Sequence, residues 1–453
     1  MKRPTMPDTI HDLYQSRVYP PMSHPLSDPA VSVVAARMAG LKTPVPRSAR
    51  ILEIGCSSGH HLIPLAMRWP DARFTGIDLA ESAVEKARER AAAVGVANIE
   101  FLAANLMTYR PLGESFDFII AHGFFSWVPD EVKVRLLEFC RQSLSPFGIA
   151  TVSFNLECGW KARLPVIAKV RAIQQAGAVD EISALEILKS VTSPQDSEIA
   201  IIDDMMAKGS AILPFDDFAP VNDPWPLGNF VNAAEEAGLR WLGASDPGIN
   251  AKAAMDDGQL AELMDRKLEP LQVQIAIDEM LGRTFRSDVL CRDDAPLEEG
   301  VVFDFALRTG TQPADPEASE IYRAIQSFAP ACVSCEQVAI KLTTRNDEAF
   351  SRKISDGIRC GWIRARIEPV EYPAEPPEYP KLDAFRLFCS MTGLPLVDAW
   401  HQPCLFPISH YQVLAAMDGS LRLDELESFS RRVCPELAFK QWIQHLAERG
   451  FFS

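Results

Sequence analysis

The sequence lacks any apolar run of the roughly 18 to 20 residues that a membrane-spanning helix needs. Lys2 and Arg3 are followed by no apolar stretch, so the first residues do not have the pattern of a secretion signal. The ten cysteines are scattered over 453 residues, as expected for reduced thiols rather than for a disulfide framework. We therefore expect a cytoplasmic protein without a membrane-inserted segment.

Basic residues are also few. The 45 Lys and Arg residues stand against 61 Asp and Glu residues, which gives a formal net charge of −16. A negative surface repels phosphates, so nucleic acid is not expected as the main partner. The charge would suit a basic protein substrate, although solubility alone also explains it. The length favours two or three domains, each with its own core.

The cysteine spacing gives little support to a metal site. Cys332 and Cys335 form a single C-x-x-C pair, whereas a structural zinc site needs a second pair or equivalent ligands. The other cysteines near the C-terminus stand singly. The sequence therefore predicts no metal ion.

Residues 50–154 alternate between short β-branched or apolar runs and helical stretches. The predicted strands are 49–55, 72–78, 98–103, 116–122 and 148–154, and the helices between them lie near 59–69, 81–95 and 129–143. This alternation predicts a parallel, doubly wound sheet. Later strands at 239–244 and 284–292 could complete this sheet, after a mostly helical stretch from 159 to about 211.

A glycine-rich turn follows the first predicted strand, within the segment Glu53-Ile54-Gly55-Cys56-Ser57-Ser58-Gly59. Such a turn lets backbone amides approach a ligand closely. Dinucleotide-binding enzymes use G-x-G-x-x-G for a pyrophosphate, whereas the spacing here is G-x-x-x-G. An acid two residues before the first glycine is the pattern of S-adenosylmethionine-dependent methyltransferases, in which the turn takes the amino-acid end of the cofactor.

The later strands end in further candidate residues. Asp78, 23 residues after Gly55, is expected to bind the ribose hydroxyls, with a helix-capping role as the alternative. Asn105 is expected to face the adenine amino group. His122 and Trp127 follow the fourth strand, where the transferring methyl should lie. They are a candidate base and a candidate wall of the acceptor channel, although both could simply pack.

Four segments carry a family resemblance: LEIGCSSGHHLIPLA, FTGIDLAESAVEKAR, FDFIIAHGFFSWVP, and SPFGIATVSFN with Gly159-Trp160. They resemble class I methyltransferases that carry a methyltransferase regulatory domain. This group includes the lysine methyltransferases that modify bacterial outer-membrane protein. Weaker matches follow in the same order, in PVNDPWPLGNFVNAAEEAGLRWL, LGRTFRSDVLCR and VLAAMDGS, so the resemblance covers nearly the whole chain.

The resemblance implies an α/β fold of the class I methyltransferase type, Rossmann-like with a seven-stranded doubly wound sheet. It also implies a helical insertion, a mainly helical, winged-helix-like C-terminal domain and a homodimer. The expected parts are an N-terminal lid or arm (1–48), an S-adenosylmethionine-binding core (49–158), a helical insertion or regulatory region that returns strands to the sheet (159–308), and a C-terminal accessory domain (309–453). The cofactor would be S-adenosyl-L-methionine and its product S-adenosyl-L-homocysteine (AdoHcy).

The N-terminal pattern Tyr14…Tyr19-Pro20…His24-Pro25 is similar to the leader of that family, which folds over the cofactor. Tyr14 and Tyr19 are therefore candidate lid residues, with an arm packed on the surface as the alternative. The expected catalytic residues are His122, Tyr19 and Trp127. The expected cofactor contacts are Tyr14, Glu53, Gly55, Cys56, Ser57, Gly59, Asp78, Leu79, Asn105, Leu106, His122 and Gly123.

One segment departs from the family pattern. Where relatives commonly carry an aromatic residue followed by His-Glu, this chain has Pro226-Leu227-Gly228-Asn229. The leading hypothesis is N-methylation of a protein or peptide acceptor of the lysine type. A small-molecule or natural-product-peptide O- or N-methyltransferase is the first alternative, which the departure favours. A cofactor-binding regulator without catalysis is the second.

Overall fold

A computed structural model describes residues 19–248 and 269–452, apart from 112, 114, 178, 194 and 314. Tyr14 lies outside the described residues. The strands are β1 Arg50–Ile54, β2 Arg73–Asp78, β3 Ile99–Ala103, β4 Phe116–Ala121, β5 Leu144–Asn155, β6 Leu239–Ala244, β7 Phe285–Arg292, β8 Ala306–Thr309, β9 Val333–Ser334, β10 Ile363–Arg366, β11 Leu396–Val397 and β12 Pro403–Cys404.

The helices flank these strands and also fill the insertion and the C-terminal part. They are α1 Pro29–Met38, α2 Leu62–Arg68, α3 Glu81–Ala93, α4 Asp130–Ser143, α5 Glu157–Gly177, α6 Glu181–Val191, α7 Glu198–Ile212, α8 Leu227–Glu236, α9 Pro270–Leu281, α10 Pro316–Gln326, α11 Cys335–Lys341, α12 Glu348–Arg359, α13 Ala384–Thr392, α14 Ile408–Ala415, α15 Leu423–Val433 and α16 Phe439–Glu448.

The central sheet has seven strands in the order β3-β2-β1-β4-β5-β7-β6. The first five pair in parallel, and β7 runs antiparallel to both β5 and β6. This order confirms the predicted seven-stranded doubly wound sheet, including the return of the two late strands. Because parallel strands end at the same edge, the turns after β1, β2 and β4 are brought together there.

The central strands are apolar on both faces because helices cover both sides of the sheet. Side chains of β1 and β4 alternate between two cores. Ile51 and Phe118 belong to one core, whereas Leu52 and Ile119 belong to the other. The lack of polar alternation in β4 therefore reflects burial on both faces, as the sequence predicts.

The C-terminal part forms two units. Strands β8 to β10 make a small antiparallel sheet with helices α10, α11 and α12 around their own core, the elements expected of a winged-helix-like unit. The predicted boundary at 308/309 falls inside β8. The helices after residue 381 share the core of the central sheet, for example through Phe385 and Leu446. This last unit is thus packed against the cofactor-domain sheet.

Two negative findings concern the described part of the chain. No helix there combines the length and the apolar character that a membrane span needs. No group of three or more metal-ligating side chains is close enough there to hold a metal ion, and all ten cysteines are free thiols. Cys335 is buried at the start of α11, where its Sγ approaches the Phe305 carbonyl.

A buried carboxylate joins three distant parts of the chain. Asp28 is fully buried before α1, where its Oδ1 accepts a hydrogen bond from the Ala30 amide. Its Oδ2 lies 2.8 Å from Arg68 Nη1 of α2 and 3.1 Å from Arg366 Nη2 of β10. Burial opposes ionisation, but the two guanidinium groups and the Ala30 amide outweigh it and lower the pKa of Asp28. Asp28 therefore fixes the N-terminal arm to α2 and to the winged-helix-like unit.

Replacing Asp28 by Asn should lower the free energy of unfolding by about 3–5 kcal/mol, because two guanidinium groups lose their buried counter-ion. Denaturant titration measures this loss. In the folded protein the pKa of Asp28 lies below its usual value of 3.8. The stabilisation by ionised Asp28 is therefore fully present above pH 3.8, and it is lost as the pH falls through the lowered pKa. Lys42→Ala, which removes an exposed ion pair with Glu298, is the control and should cost less than about 1 kcal/mol. Equal losses in the two variants would contradict this role.

Candidate active site

A cavity of about 560 Å³ opens at the carboxyl ends of β1, β2 and β4. This size is typical of a site for a small organic ligand. Sequence-predicted residues that line it are Tyr19, Glu53, Gly55, Cys56, Ser57, Asp78, Leu79, Asn105, Leu106, His122, Gly123 and Trp127. The topology of the sheet thus gathers these separate sequence segments around one space.

The glycine turn has two glycines with different roles. Gly55 lines the cavity with φ of +80°, and a Cβ there would lie 3.0 Å from the Phe124 ring. Gly59 was expected to contact the cofactor, but it is absent from the lining. Its φ is +73°, and a Cβ would come within 2.6 Å of the Phe101 ring. Gly59 therefore allows the turn to pack on the sheet, while Gly55 keeps the cavity floor open.

Glu53 is a buried carboxylate without a protein partner for one of its oxygens. It is 3% exposed, and its Oε2 makes no hydrogen bond. Burial, and then the nearby charge of Asp78, raise the pKa of Glu53 well above its usual value. An unpaired buried carboxylate is costly, so a cation in the cavity would stabilise it. The ammonium group of S-adenosylmethionine fits this requirement, and the cofactor therefore fits the residues present.

Asp78 connects the glycine turn to the start of α3. Its Oδ2 accepts a hydrogen bond of 2.8 Å from the Ser57 amide, and its Oδ1 accepts one of 2.8 Å from the Ala80 amide. Burial raises the pKa of Asp78 more than these bonds lower it. An ionised carboxylate has about four acceptor positions. Asp78 can therefore organise the turn and still accept hydrogen bonds from two ribose hydroxyls.

Asn105 and Leu106 line the cavity beyond β3. The Asn105 Oδ1 accepts a hydrogen bond of 2.9 Å from the Met107 amide, which fixes the side chain at the head of its turn. A carbonyl oxygen has a second lone pair, so Oδ1 can also accept from an adenine amino group. Leu106 is buried and offers an apolar surface to the adenine ring.

His122 lies at the end of β4, where the sequence predicts a candidate base. Its Nδ1 is 2.8 Å from Ser27 Oγ, and its ring stacks on His24 with centroids 3.8 Å apart. Burial lowers the pKa of His122 well below 6.5 and that of His24 to about 4. Both rings are therefore neutral at pH 7. A base with so low a pKa holds a proton poorly, which weakens the case for His122 as the final proton acceptor.

The outer wall of the cavity is mostly apolar and aromatic. Tyr19 packs edge-on against Phe215 with ring centroids 5.3 Å apart, and Pro220 and Val221 also line the cavity. Burial and the nearby Asp216 raise the Tyr19 pKa to about 12, so the phenol keeps its proton.

The aromatic residues after β4 divide between the cavity and the core. Trp127 and Phe124 line the cavity. Phe125 is fully buried and packs against Phe154 and Phe230. Phe125 therefore packs in the core and does not line the cavity.

The loop that carries Pro220 and Val221 is anchored by its next residues. The Asp223 amide donates to the Ser126 carbonyl over 2.9 Å, and the buried Lys133 ammonium pairs with the Asp223 carboxylate. Lys133 also lies 5.0 Å from the centre of the Trp225 ring. The segment 226–229, which departs from the family pattern, begins α8 and does not line the cavity.

Several residues at the site are missed by the sequence argument. His24 and His61 line the cavity together with Pro220 and Val221, and His401 bonds to His61 from behind. His24 within the leader and His61 two residues after Gly59 give a local signal that could have been used. His401 gives none, because it is 340 residues from its partner.

AdoHcy affinity should depend on pH through Glu53. The ligand's ammonium favours the ionised carboxylate, so binding releases a proton wherever Glu53 is protonated in the free protein. Because the Glu53 pKa is raised well above 4.5, affinity should increase with pH above 4.5, by up to about tenfold per unit, until the raised pKa is reached. Calorimetry at several pH values measures this slope. Glu53→Gln should bind more weakly and lose the slope, and an unchanged slope would contradict the pairing.

Asp78→Ala should weaken AdoHcy binding by about tenfold or more, because hydrogen bonds to a charged carboxylate are lost. Glu81→Ala, at an exposed neighbouring position on α3, is the matched control and should bind as the wild type does. The unfolding temperature of each variant is measured without ligand. A lowered temperature would indicate that the glycine turn is disturbed, whereas an unchanged temperature with weaker binding would indicate that only the ribose contact is lost. Unchanged affinity in Asp78→Ala would remove the ribose assignment.

Two family models match this chain. Residues 51–148 match a methyltransferase domain, and residues 210–292 match a predicted methyltransferase regulatory domain. The first range holds the glycine turn, Asp78, Asn105 and His122. The second contains the cavity-lining Pro220 and Val221, together with β6 and β7.

Among curated relatives, the uncharacterized proteins RP789 and RP028 of Rickettsia prowazekii are 34% and 31% identical over 33% and 32% of this chain. These matches cover 27% and 59% of the relatives, so this chain spans well under two thirds of their length. A trans-aconitate 2-methyltransferase of Rhodopseudomonas palustris is 29% identical over 38% of this chain and 73% of that protein.

The structure of PKMT2 from Rickettsia typhi in complex with AdoHcy matches 95% of this chain and 97% of that chain, with a TM-score of 0.76 and 18% identity. At this identity the likeness establishes the fold. Residues 51–148 therefore match a methyltransferase domain and have the class I methyltransferase fold around a cavity that fits S-adenosylmethionine, and residues 210–292 match a predicted methyltransferase regulatory domain.

Proposed function

We propose that the whole chain is a methyltransferase that N-methylates a lysine-type amine of a protein or peptide. The observation that carries this proposal is the charge of the cavity. Its described lining contains the carboxylates of Glu53 and Asp78 but no Lys or Arg side chain. Once the cofactor's ammonium pairs with Glu53, an anionic acceptor still meets no positive side chain in this lining, so a neutral or cationic acceptor such as an amine fits better.

Bound S-adenosylmethionine supplies an electrophilic methyl group on a sulfonium sulfur. In an in-line displacement the N–C bond forms as the C–S bond breaks, and the acceptor amine must first lose a proton. The chain can favour that loss by removing water from the amine, since desolvation lowers the pKa of a lysine. The side chains that would exclude water from the amine are those of Tyr19, Trp127 and Val221, which line the cavity.

His122 fits an orienting role better than a proton-storing one. Its ring is neutral, and Ser27 engages its Nδ1. The other nitrogen can accept a hydrogen bond from the amine and align the nitrogen lone pair with the methyl group. The proton then leaves to solvent. Tyr19 keeps its own proton and can only donate or accept a hydrogen bond through the phenol oxygen.

The likeness to PKMT2 over nearly the full chain supports a protein acceptor, as does the sequence resemblance to lysine methyltransferases. The altered segment 226–229 lies outside the cavity lining, so its change removes no side chain from the described site. The loop of the regulatory domain reaches the cavity through Pro220 and Val221. That domain can therefore shape the opening through which a peptide side chain enters. The homodimer and the cytoplasmic location implied above remain predictions.

A small-molecule acceptor is the second candidate. The names of the relatives that are trans-aconitate 2-methyltransferases favour it. Trans-aconitate is a tricarboxylate, however, and sites for such anions use Arg or Lys side chains. The described lining offers neither, so among small molecules a neutral or cationic acceptor fits better.

A labelling experiment tests the acceptor class. Purified protein with S-adenosyl-[methyl-³H]methionine and a bacterial lysate should label protein, and hydrolysis should recover the label as methyl-lysine. A lysate whose lysines were first acetylated chemically should give little label, because an amide nitrogen is not nucleophilic, and Asp78→Ala serves as the enzyme control. Label confined to low-mass compounds, or undiminished after lysine blocking, would contradict the proposal.

A further inference from the structure

A hydrogen bond between two buried imidazoles joins the last part of the chain to the cofactor cavity. His401 Nε2 lies 2.8 Å from His61 Nδ1, and the two residues are 0% and 2% exposed. His401 belongs to the loop between β11 and β12, whereas His61 directly precedes α2 and lines the cavity. The contact brings a residue of the C-terminal unit directly behind the site.

The hydrogen bonds around His61 fix the position of its proton. The His24 amide donates to His61 Nδ1 over 3.1 Å. A backbone amide can only donate, so this Nδ1 carries no proton, and His401 Nε2 must be the donor in the second bond. Burial, and then His401, lower the pKa of His61 well below 6.5, so the ring is neutral. Its single proton therefore resides on Nε2.

The Nε2–H of His61 is a buried donor without a hydrogen-bond partner among the described residues. The Ser27 carbonyl favours a proton on this ring, but no hydrogen bond of normal geometry joins it to Nε2. A buried donor left unpaired is costly, so an acceptor on a bound ligand would stabilise it. His61 lines the cavity, and a small rotation of its ring would bring this enclosed donor to an acceptor on the ligand there.

The cofactor carries a carboxylate that needs donors. No Lys or Arg is found in the described lining, so its partners must be neutral N–H or O–H groups. We propose that His61 binds this carboxylate through Nε2–H, and that His401 is the positioning residue that, together with the His24 amide, holds the ring by its Nδ1. The inference rests on the methyltransferase activity proposed above only for the identity of the cofactor, and not on the acceptor.

The loop around His401 is built to present that residue. Asp398 Oδ1 accepts hydrogen bonds from the Trp400 and Gln402 amides over 2.9 and 2.8 Å, and its Oδ2 lies 2.7 Å from Arg449 Nη2. His401 itself has φ of +64°, a left-handed conformation that is uncommon for a residue other than glycine. Such a conformation persists only where the surroundings enforce it.

Two amide variants separate the nitrogens of His61. Asn can place an acceptor near the Nδ1 position but has no group at the Nε2 position, whereas Gln can place a donor near Nε2. The readout is the affinity for AdoHcy divided by that for 5′-S-(3-aminopropyl)-5′-thioadenosine, which lacks the carboxylate. His61→Asn should lower this ratio by about tenfold or more, because one hydrogen bond to a charged group is lost. His61→Gln should keep most of it.

The corresponding pair at His401 tests the positioning role. His401→Gln retains a donor toward His61 and should keep the ratio close to that of the wild type. His401→Phe removes the donor, leaves His61 Nδ1 held by the His24 amide alone, and should lower the ratio several-fold because the ring is held less firmly. His410→Phe, at a C-terminal histidine outside this cluster, should leave it unchanged. The unfolding temperature of every variant is measured without ligand, so that a loss of fold is recognised separately.

An affinity ratio equal to that of the wild type in folded His61→Asn would overturn the proposal. It would mean that the Nε2–H of His61 interacts with the Ser27 carbonyl and not with the cofactor's carboxylate. A wild-type ratio in His401→Phe would overturn the positioning role. No methyl group is transferred in these measurements, so a failure of the lysine proposal leaves them unaffected. A wild-type protein that does not bind AdoHcy would overturn the cofactor assignment together with this inference.

Discussion

The fully buried carboxylate of Asp28 is the interaction on which the arrangement of the active site depends. It links the arm to α2 through Arg68 and to the winged-helix-like unit through Arg366. Breaking such a pair is strongly destabilising because a buried charge would be left alone. With Asp28 fixed, the preceding residues from Tyr19 to Ser27 are held across the cavity, and His24 reaches both His61 and His122.

Much of the fold and half of the site follow from local sequence. Apolar strands alternating with helices predict the parallel, doubly wound sheet of β1 to β5, because burial on both faces leaves a clear pattern. Glu53 and Asp78 could be expected at the cavity because each lies at or next to the end of a strand, at a fixed distance from the glycine turn. Gly59 shows the limit of this reasoning, since a glycine required for packing looks the same in sequence as one that contacts a ligand.

The rest depends on contacts between distant segments, and no spacing rule encodes these. His401 and Val221 reach the site only because the C-terminal unit shares the core of the sheet and the regulatory loop is anchored on Lys133. The neutral state of the imidazoles also depends on burial, which the sequence does not give. The methyltransferase domain is thus completed by the arm, the regulatory domain and the C-terminal unit together.

A crystal structure of the complex with AdoHcy tests the central claim most directly, that this cavity binds the cofactor through Glu53, Asp78 and His61. The predicted result has the ligand's ammonium at Glu53, its ribose hydroxyls at Asp78 and its carboxylate within hydrogen-bond distance of His61 Nε2. AdoHcy bound elsewhere, or in this cavity with its ammonium and carboxylate away from Glu53 and His61, would contradict the account.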